Sequence, residues 1–343
     1  MKAETLSKYL NKVKHFAWEK GPSPMYSNVL IQGNSKQLKL SCTDGNTGIE
    51  QITNQEDTPI ICECCVNIFK LCGYIDSIQK QVDISLTVKG TRLEISGKNV
   101  KLYLPVFEVD QIFNIPKCKI FKKIEGDLLN IIASVMPAND DSDAPIILDG
   151  KQIFHANPKA LYYRPYIYSG STFSIDSKFI KRIFIDTFVE IGQIEGHIFL
   201  QNNTCTIFIP LFNGKQLMLE PVIKLIETEH TVNCRIGVEE LSYAYGILKQ
   251  VAEQNDKEDI ILDISNDNFY LQVLDSSYSL MNYLVENDNK FKIKIPISHI
   301  QSITKSTFVN KNEFINLRFS LNSNTRFVAK SNDLLFIGGV YRM

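Results

Sequence analysis

The spacing of apolar and polar positions along this chain switches between a helical and a strand period, and the switches recur in the same order three times. Near the start, Leu6, Leu10 and Val13 share one helical face and predict a helix over Leu6–Trp18. The runs SNVLIQG and QLKLSCT then alternate with period two, the pattern of strands buried on one face. A strand at Thr58–Ile61, a short helix at Val66–Tyr74 and the strands ISLTV, RLEIS and VKLYLPV complete the first third. The second third opens with a helix at Asp127–Val135 and the strands APIILDG and KQIFHA. A strand at Thr172–Ile175, the helix SKFIKRIFIDTFVE and the strands HIFLQ and CTIFIPLF follow. The last third runs from a helix at Gly237–Gln254 through DIILDIS, FYLQVLD and FKIKIP to the helix ISHIQSITKS. It closes on INLRFSL, TRFVA and LLFIGGVY. This pattern predicts an α+β chain of three repeated domains, each with two helices packed on antiparallel sheets. Polar or proline-bearing connectors set the expected boundaries at 1–117, 118–227 and 228–343.

Composition narrows this picture. With 44% hydrophobic and 22% charged residues in 343, the chain reads as globular and too long for a single core. No run approaches the roughly 20 apolar residues of a membrane span, and lysines interrupt the N-terminal stretch where a secretory signal would be apolar. A cytoplasmic location and no membrane partner are expected. The eight cysteines are then expected as reduced thiols. The net charge of −1 changes the picture most, because proteins that grip nucleic acid tightly are usually basic. A nucleic-acid role here would rest on locally concentrated lysines, or on topology.

Candidate chemistry is sparse. The chain lacks the phosphate-binding glycine loops, the paired-histidine zinc helix and the serine-nucleophile elbow. His15, His155, His197, His230 and His299 are dispersed, and Asp140, Asp141 and Asp143 sit in a polar run that reads as a solvated loop. Cys62, Cys64, Cys65 and Cys72 crowd into eleven residues, but their spacing lacks the paired knuckles of a structural zinc site. Cysteine packs equally well as a small apolar residue. No enzyme activity, metal or cofactor is expected.

Three segments carry a resemblance. Pro24–Ile52 holds a proline, a strand, a turn, a second strand and the pair Thr43–Asp44 at its end. The run VDISLTVKGTRLEISGKNVKLYLP comes later, and the chain stops at FIGGVYRM with Arg342 next to last. Together with the threefold plan, these resemble the bacterial-type DNA sliding clamp, the beta subunit of DNA polymerase III, over nearly the whole chain. The family's TDGHRL turn is represented only by the leucine of Ala156–Leu161. The resemblance is therefore to a divergent clamp, of the kind a phage could encode and use in its host's cytoplasm.

The resemblance implies a ring, most simply a homodimer, with helices inside and sheets outside. Weak, sequence-independent contacts to duplex phosphate are what sliding requires. The implied channel cations are Lys8, Lys12, Lys14, Lys70, Lys178, Lys181, Arg182, Lys249 and Lys305, although lysines on amphipathic helices are ordinarily just a solvated face. A pocket for short motifs of the polymerase and clamp loader is implied at Leu161, Tyr162, Ile337, Val340 and Met343. The ring seam is implied at Leu102, Leu104 and Phe107 of one chain against Leu248 and Val251 of the next. The implied function is a processivity factor that tethers polymerase to DNA. The alternative is a clamp-fold interaction platform that does not slide.

Overall fold

A computed structural model describes residues 1–55, 59–107, 116–124, 128–136, 144–156, 160–167, 172–194, 196–212, 214, 232–265, 268–281, 283–285, 291–304, 314–319, 326–331, 334–339 and 341–342. The first third contains α1 (Ala3–Lys14), β1 (Asn28–Gly33), β2 (Gln37–Thr43), β3 (Gly48–Asn54), β4 (Glu63–Asn67), α2 (Ile68–Asp76), β5 (Ile84–Lys89), β6 (Arg92–Gly97) and β7 (Val100–Pro105). The middle contains β8 (Lys122–Lys123), α3 (Leu128–Ser134), β9 (Pro145–Leu148), β10 (Gln152–Ala156), β11 (Ala160–Pro165), β12 (Phe173–Asp176), α4 (Ser177–Ile183), β13 (Glu190–Ile194), β14 (His197–Gln201) and β15 (Cys205–Pro210). The last third contains β16 (Val232–Gly237), α5 (Val238–Gln254), β17 (Asp259–Ile264), β18 (Phe269–Val273), β19 (Ser276–Ser279), β20 (Tyr283–Val285) and β21 (Phe291–Pro296). It continues through α6 (Ile297–Thr304), β22 (Phe314–Phe319), β23 (Arg326–Ser331), β24 (Leu334–Gly339) and β25 (Tyr341–Arg342).

One device recurs. β4, β12, β16 and β21 each end on the residue directly before α2, α4, α5 and α6, so strand passes into helix without a loop. The mixed α+β repeat read from the sequence is present, with six helices among the described residues. Two local expectations are corrected. The strand expected at Thr58–Ile61 lies at Glu63–Asn67, where Cys64 and Cys65 pair with Ile31 and Leu30 of β1. The helix expected over SKFIKRIFIDTFVE stops at Ile183, because Phe188 turns into the core and Glu190 opens β13.

The chain divides into two compact units, Met1–Gly126 with Phe179–Leu211, and Asp127–Lys178 with Phe212–Met343. In the first unit an eight-stranded sheet runs β4-β1-β2-β3-β15-β14-β13-β8, and β5-β6-β7 form a separate sheet. The β3–β15 ladder, with Ile49 opposite Ile207, makes one sheet from segments of two thirds of the chain. α1 and α2 pack together over this unit, and Leu6, Leu10 and Val13 are fully buried as their spacing predicts. Asn67 caps α2, accepting the Lys70 N–H at 3.0 Å. In the second unit a nine-stranded sheet runs β12-β9-β10-β11-β24-β23-β22-β16-β20, beside a five-stranded sheet β19-β18-β17-β21-β25. There the β11–β24 ladder again joins the middle third of the chain to the last.

Candidate nucleic-acid interface

The expected channel cations fall into two groups once their partners are known. Lys8 on α1 and Lys70 on α2 are exposed, and Lys14 is half-buried with its ammonium 5.5 Å from the centre of the Phe69 ring. These three make no ion pair among the described residues. Lys181 on α4 is also exposed. On the helical pair α1 and α2, then, positive charge stands outward where phosphate could reach it.

Four of the other expected cations form ion pairs. Lys12 turns inward, pairs with Asp186 and donates to Gln51 Oε1 at 2.6 Å. Arg182 pairs with Asp44 at 2.6 Å and lies over the rings of Phe16 and Phe179. Lys178 pairs with Asp176 at 2.6 Å and Lys249 with Glu253 at 3.5 Å. Lys305 lies outside the described residues. For Lys12 and Arg182 the physical reason is partner supply, a carboxylate held by the fold within reach, whereas the Lys178 and Lys249 pairs stay open to solvent.

Asp44 is such a carboxylate. It is buried, and its Oδ1 accepts the N–H of Asn46 at 2.9 Å and of Thr47 at 2.7 Å, together with the Thr47 hydroxyl at 3.1 Å. Thr43 Oγ1 donates to the Thr47 carbonyl at 2.7 Å and accepts Gly45 N–H at 3.0 Å. Gly45 has φ +91°, and a methyl there would lie 2.8 Å from the Tyr26 ring. The Thr43–Asp44 pair is thus a turn lock whose remaining oxygen holds Arg182. Sequence reading missed this latch because its halves lie 138 residues apart, and those of Lys12–Asp186 lie 174 apart. Periodicity carries no signal across such separations.

The expected peptide pocket is partly assembled. Leu161 stands opposite Ile337, and Tyr162 opposite Phe336, across the β11–β24 ladder. Leu161 and Ile337 share a buried cluster with Phe154, Val328 and Leu335. Tyr162 is the next residue of the strand and so points to the other face, where its hydroxyl meets Ser302 Oγ at 2.6 Å and its ring meets Phe336 edge-on. Leu161 and Tyr162 therefore point to opposite faces of the sheet. Val340 and Met343 lie outside the described residues.

Of the expected seam, β7 is an edge strand of its three-stranded sheet, with Leu102 half-buried and Phe107 exposed. Leu104 is buried, and Phe107 N–H donates to the Cys65 carbonyl at 2.8 Å. Leu248 is 1% exposed, buried in its own unit, and Val251 is half-buried. Because neighbouring strand positions alternate faces, Cys64 and Cys65 point apart. Cys64 donates to Cys62 and holds that half-buried thiol below its usual range, whereas burial pushes Cys65 up to about 12 and Cys72 to about 11. No group of three or more His, Cys, Asp or Glu is placed to hold a metal among the described residues.

Residues 1–116 match the family model of the N-terminal domain of the DNA polymerase III beta subunit. The whole chain is similar in structure to the DNA polymerase III subunit beta from Pseudomonas aeruginosa, with a TM-score of 0.81 at 17% identity, covering 100% of this chain and 99% of that one. It is similar to the beta subunit from DNA polymerase of Streptococcus pyogenes, with a TM-score of 0.81 at 13% identity and coverage of 100% and 99%. It is similar also to the Helicobacter pylori beta clamp bound to DNA ligase peptide, with a TM-score of 0.79 at 14% identity and coverage of 99% and 98%. No curated protein matches the sequence.

Proposed function

We propose that this chain, which has the fold of the DNA polymerase III beta subunit along its whole length and belongs to that family over residues 1–116, is a sliding clamp that holds replication proteins on duplex DNA. The observation that carries the reading is the mutual coverage: the match to the Pseudomonas clamp extends over all of this chain and 99% of that one. Three domains at 1–117, 118–227 and 228–343, closing as a homodimer, are the division this reading uses. The recurrent strand-into-helix junctions support it.

In this reading the protein performs no chemistry. Linkage holds it on DNA, and Lys8, Lys14 and Lys70 provide shallow, non-specific contacts to phosphate. Partners, expected to be a DNA polymerase and a clamp loader, would bring short peptides, as the Helicobacter clamp takes one from DNA ligase. The β11–β24 face bearing Leu161 and Ile337 is the proposed receptor, and it would have to open for a peptide because both side chains are buried. The work belongs in the cytoplasm, the host's if a phage encodes the chain. No helix among the described residues is long and apolar enough to cross a membrane.

One observation favours the second reading, an interaction platform that does not slide. Lys12, Lys178, Arg182 and Lys249, four of the expected channel cations, are already ion-paired. The deciding experiment loads the protein onto a nicked circular plasmid with a competent loader, then cuts the circle. A clamp stays on the circle in moderate salt and leaves once an end exists. Equal loss from circular and linear DNA, with a control clamp behaving normally, establishes the platform.

A further inference from the structure

The connector after β7 carries lysine at four of seven positions, Lys117, Lys119, Lys122 and Lys123. All four are exposed and none has an ion-pair partner among the described residues. The chain as a whole balances 37 Lys and Arg against 38 Asp and Glu, so four unpaired cations in one short segment are a local excess.

The segment is also held in place. Lys122 and Lys123 form β8 and pair with Ile191 and Glu190 of β13, and Ile124 N–H donates to the Val189 carbonyl at 2.8 Å. Cys118 Sγ donates to the Ile120 carbonyl at 3.1 Å. A methyl at Gly192 would stand 2.5 Å from Cys118 Sγ and 2.8 Å from that carbonyl, so the glycine is what lets the connector lie flat on β13. β8 ends the eight-stranded sheet, and among the described residues no strand pairs with its outer edge. In the same connector Ile120 is 76% exposed.

Lysines on an edge strand commonly serve to block edge-to-edge pairing. That role accounts for Lys122 and Lys123 on β8. It leaves Lys117 and Lys119 unexplained, since they precede the strand, and an exposed isoleucine works against it.

We propose that this connector is a docking strip for an acidic peptide of a partner protein, one with apolar residues between its carboxylates, laid along the outer edge of β8. The strand edge supplies main-chain hydrogen bonds, the four lysines meet the carboxylates, and Ile120 covers the apolar side chains. A nucleic-acid backbone would use the lysines but leave the isoleucine facing water. The site stands whether or not the chain forms a ring.

Fluorescence anisotropy with the full chain tests this. The probes are a fluorescein-labelled peptide of alternating glutamate and leucine, its glutamine counterpart, and a labelled oligothymidylate. The glutamate peptide is expected to bind best and to weaken with salt. The quadruple variant K117E/K119E/K122E/K123E should lower its affinity about tenfold or more. The corresponding four Lys→Gln changes give the same comparison if charge reversal impairs folding. Ile120→Ser should weaken the glutamate peptide while leaving oligothymidylate unaffected. Peptide affinity unchanged by the lysine variants, no peptide binding at all, or lysine-dependent binding of oligothymidylate alone would each overturn the proposal.

Discussion

At the scale of single residues, burial decides which polar groups stay neutral. His155 is fully buried beside Tyr162, and desolvation lowers its pKa from 6.5 to about 4, although hydrogen bonds to the Pro145 and Ala144 backbone pull the other way. An unfolded chain takes up this proton as pH falls through 6.5, whereas the folded chain resists until about 4. The stability associated with neutral His155 is therefore complete above 6.5 and is lost on acidification, by about 3 kcal/mol at pH 4. Urea midpoints measured across that range should fall for the native chain and flatten for His155→Gln; parallel slopes would remove His155 as the cause. The thiols follow the same logic with a different outcome. Burial pushes Cys65, Cys72 and Cys205 up, whereas the Cys64 hydrogen bond holds Cys62 down at the surface. Alkylation of the folded protein by iodoacetamide at neutral pH should therefore reach Cys62 well before Cys65, Cys72 or Cys205, read by peptide mass mapping. Equal labelling of all four would show that the sheet opens freely.

Elements are joined by contacts that strand and helix periodicity does not encode. Arg182 of α4 and Lys12 of α1 each hold an aspartate far away in sequence, and both pairs are largely buried. Arg182→Ala leaves Asp44 charged and short of a partner inside its turn, which should cost about 2–4 kcal/mol of stability. It should change retention on a DNA circle little. Lys8→Glu should do the reverse, weakening DNA contact with a stability change within about 0.5 kcal/mol. Thermal melts and retention assays on the two variants separate the roles, and a stability loss from Lys8→Glu matching that of Arg182→Ala would erase the distinction. This contrast also marks what the sequence made legible. The apolar faces of α1 and α5, the strand at Gln37–Thr43 and the strand-into-helix passages at β12–α4 and β21–α6 follow from local spacing, and they are where it placed them. β13 was not read as a strand because Phe184 and Phe188 continue an apolar face after α4 ends and carried the expected helix to Glu190, where β13 begins. The inward turn of Lys12 and Arg182, and the splitting of Leu161 from Tyr162 by strand alternation, depend on partners that only the fold supplies.

For the whole molecule the governing number is a net charge of −1, which is small for anything that works on DNA. Two ways of staying on DNA differ sharply in their response to salt. Contact affinity falls with a log–log slope of about −0.9 per phosphate neutralised, because each contact releases condensed counterions. Lys8, Lys14 and Lys70 of two chains would give a slope of about −5 for equilibrium binding to a short linear duplex, with low affinity throughout. A linked ring is released only when it opens or reaches an end, so its lifetime on a closed circle should depend weakly on salt over the same range. Measuring both on the same preparation, duplex binding by anisotropy and circle retention by gel filtration, sets the two mechanisms against each other. A shallow dependence on the circle beside a steep one on the duplex fits linkage. Equally steep decay on both would mean that lysine–phosphate contacts alone hold the protein, and a chain with this charge balance could not then serve as a processivity factor at physiological salt.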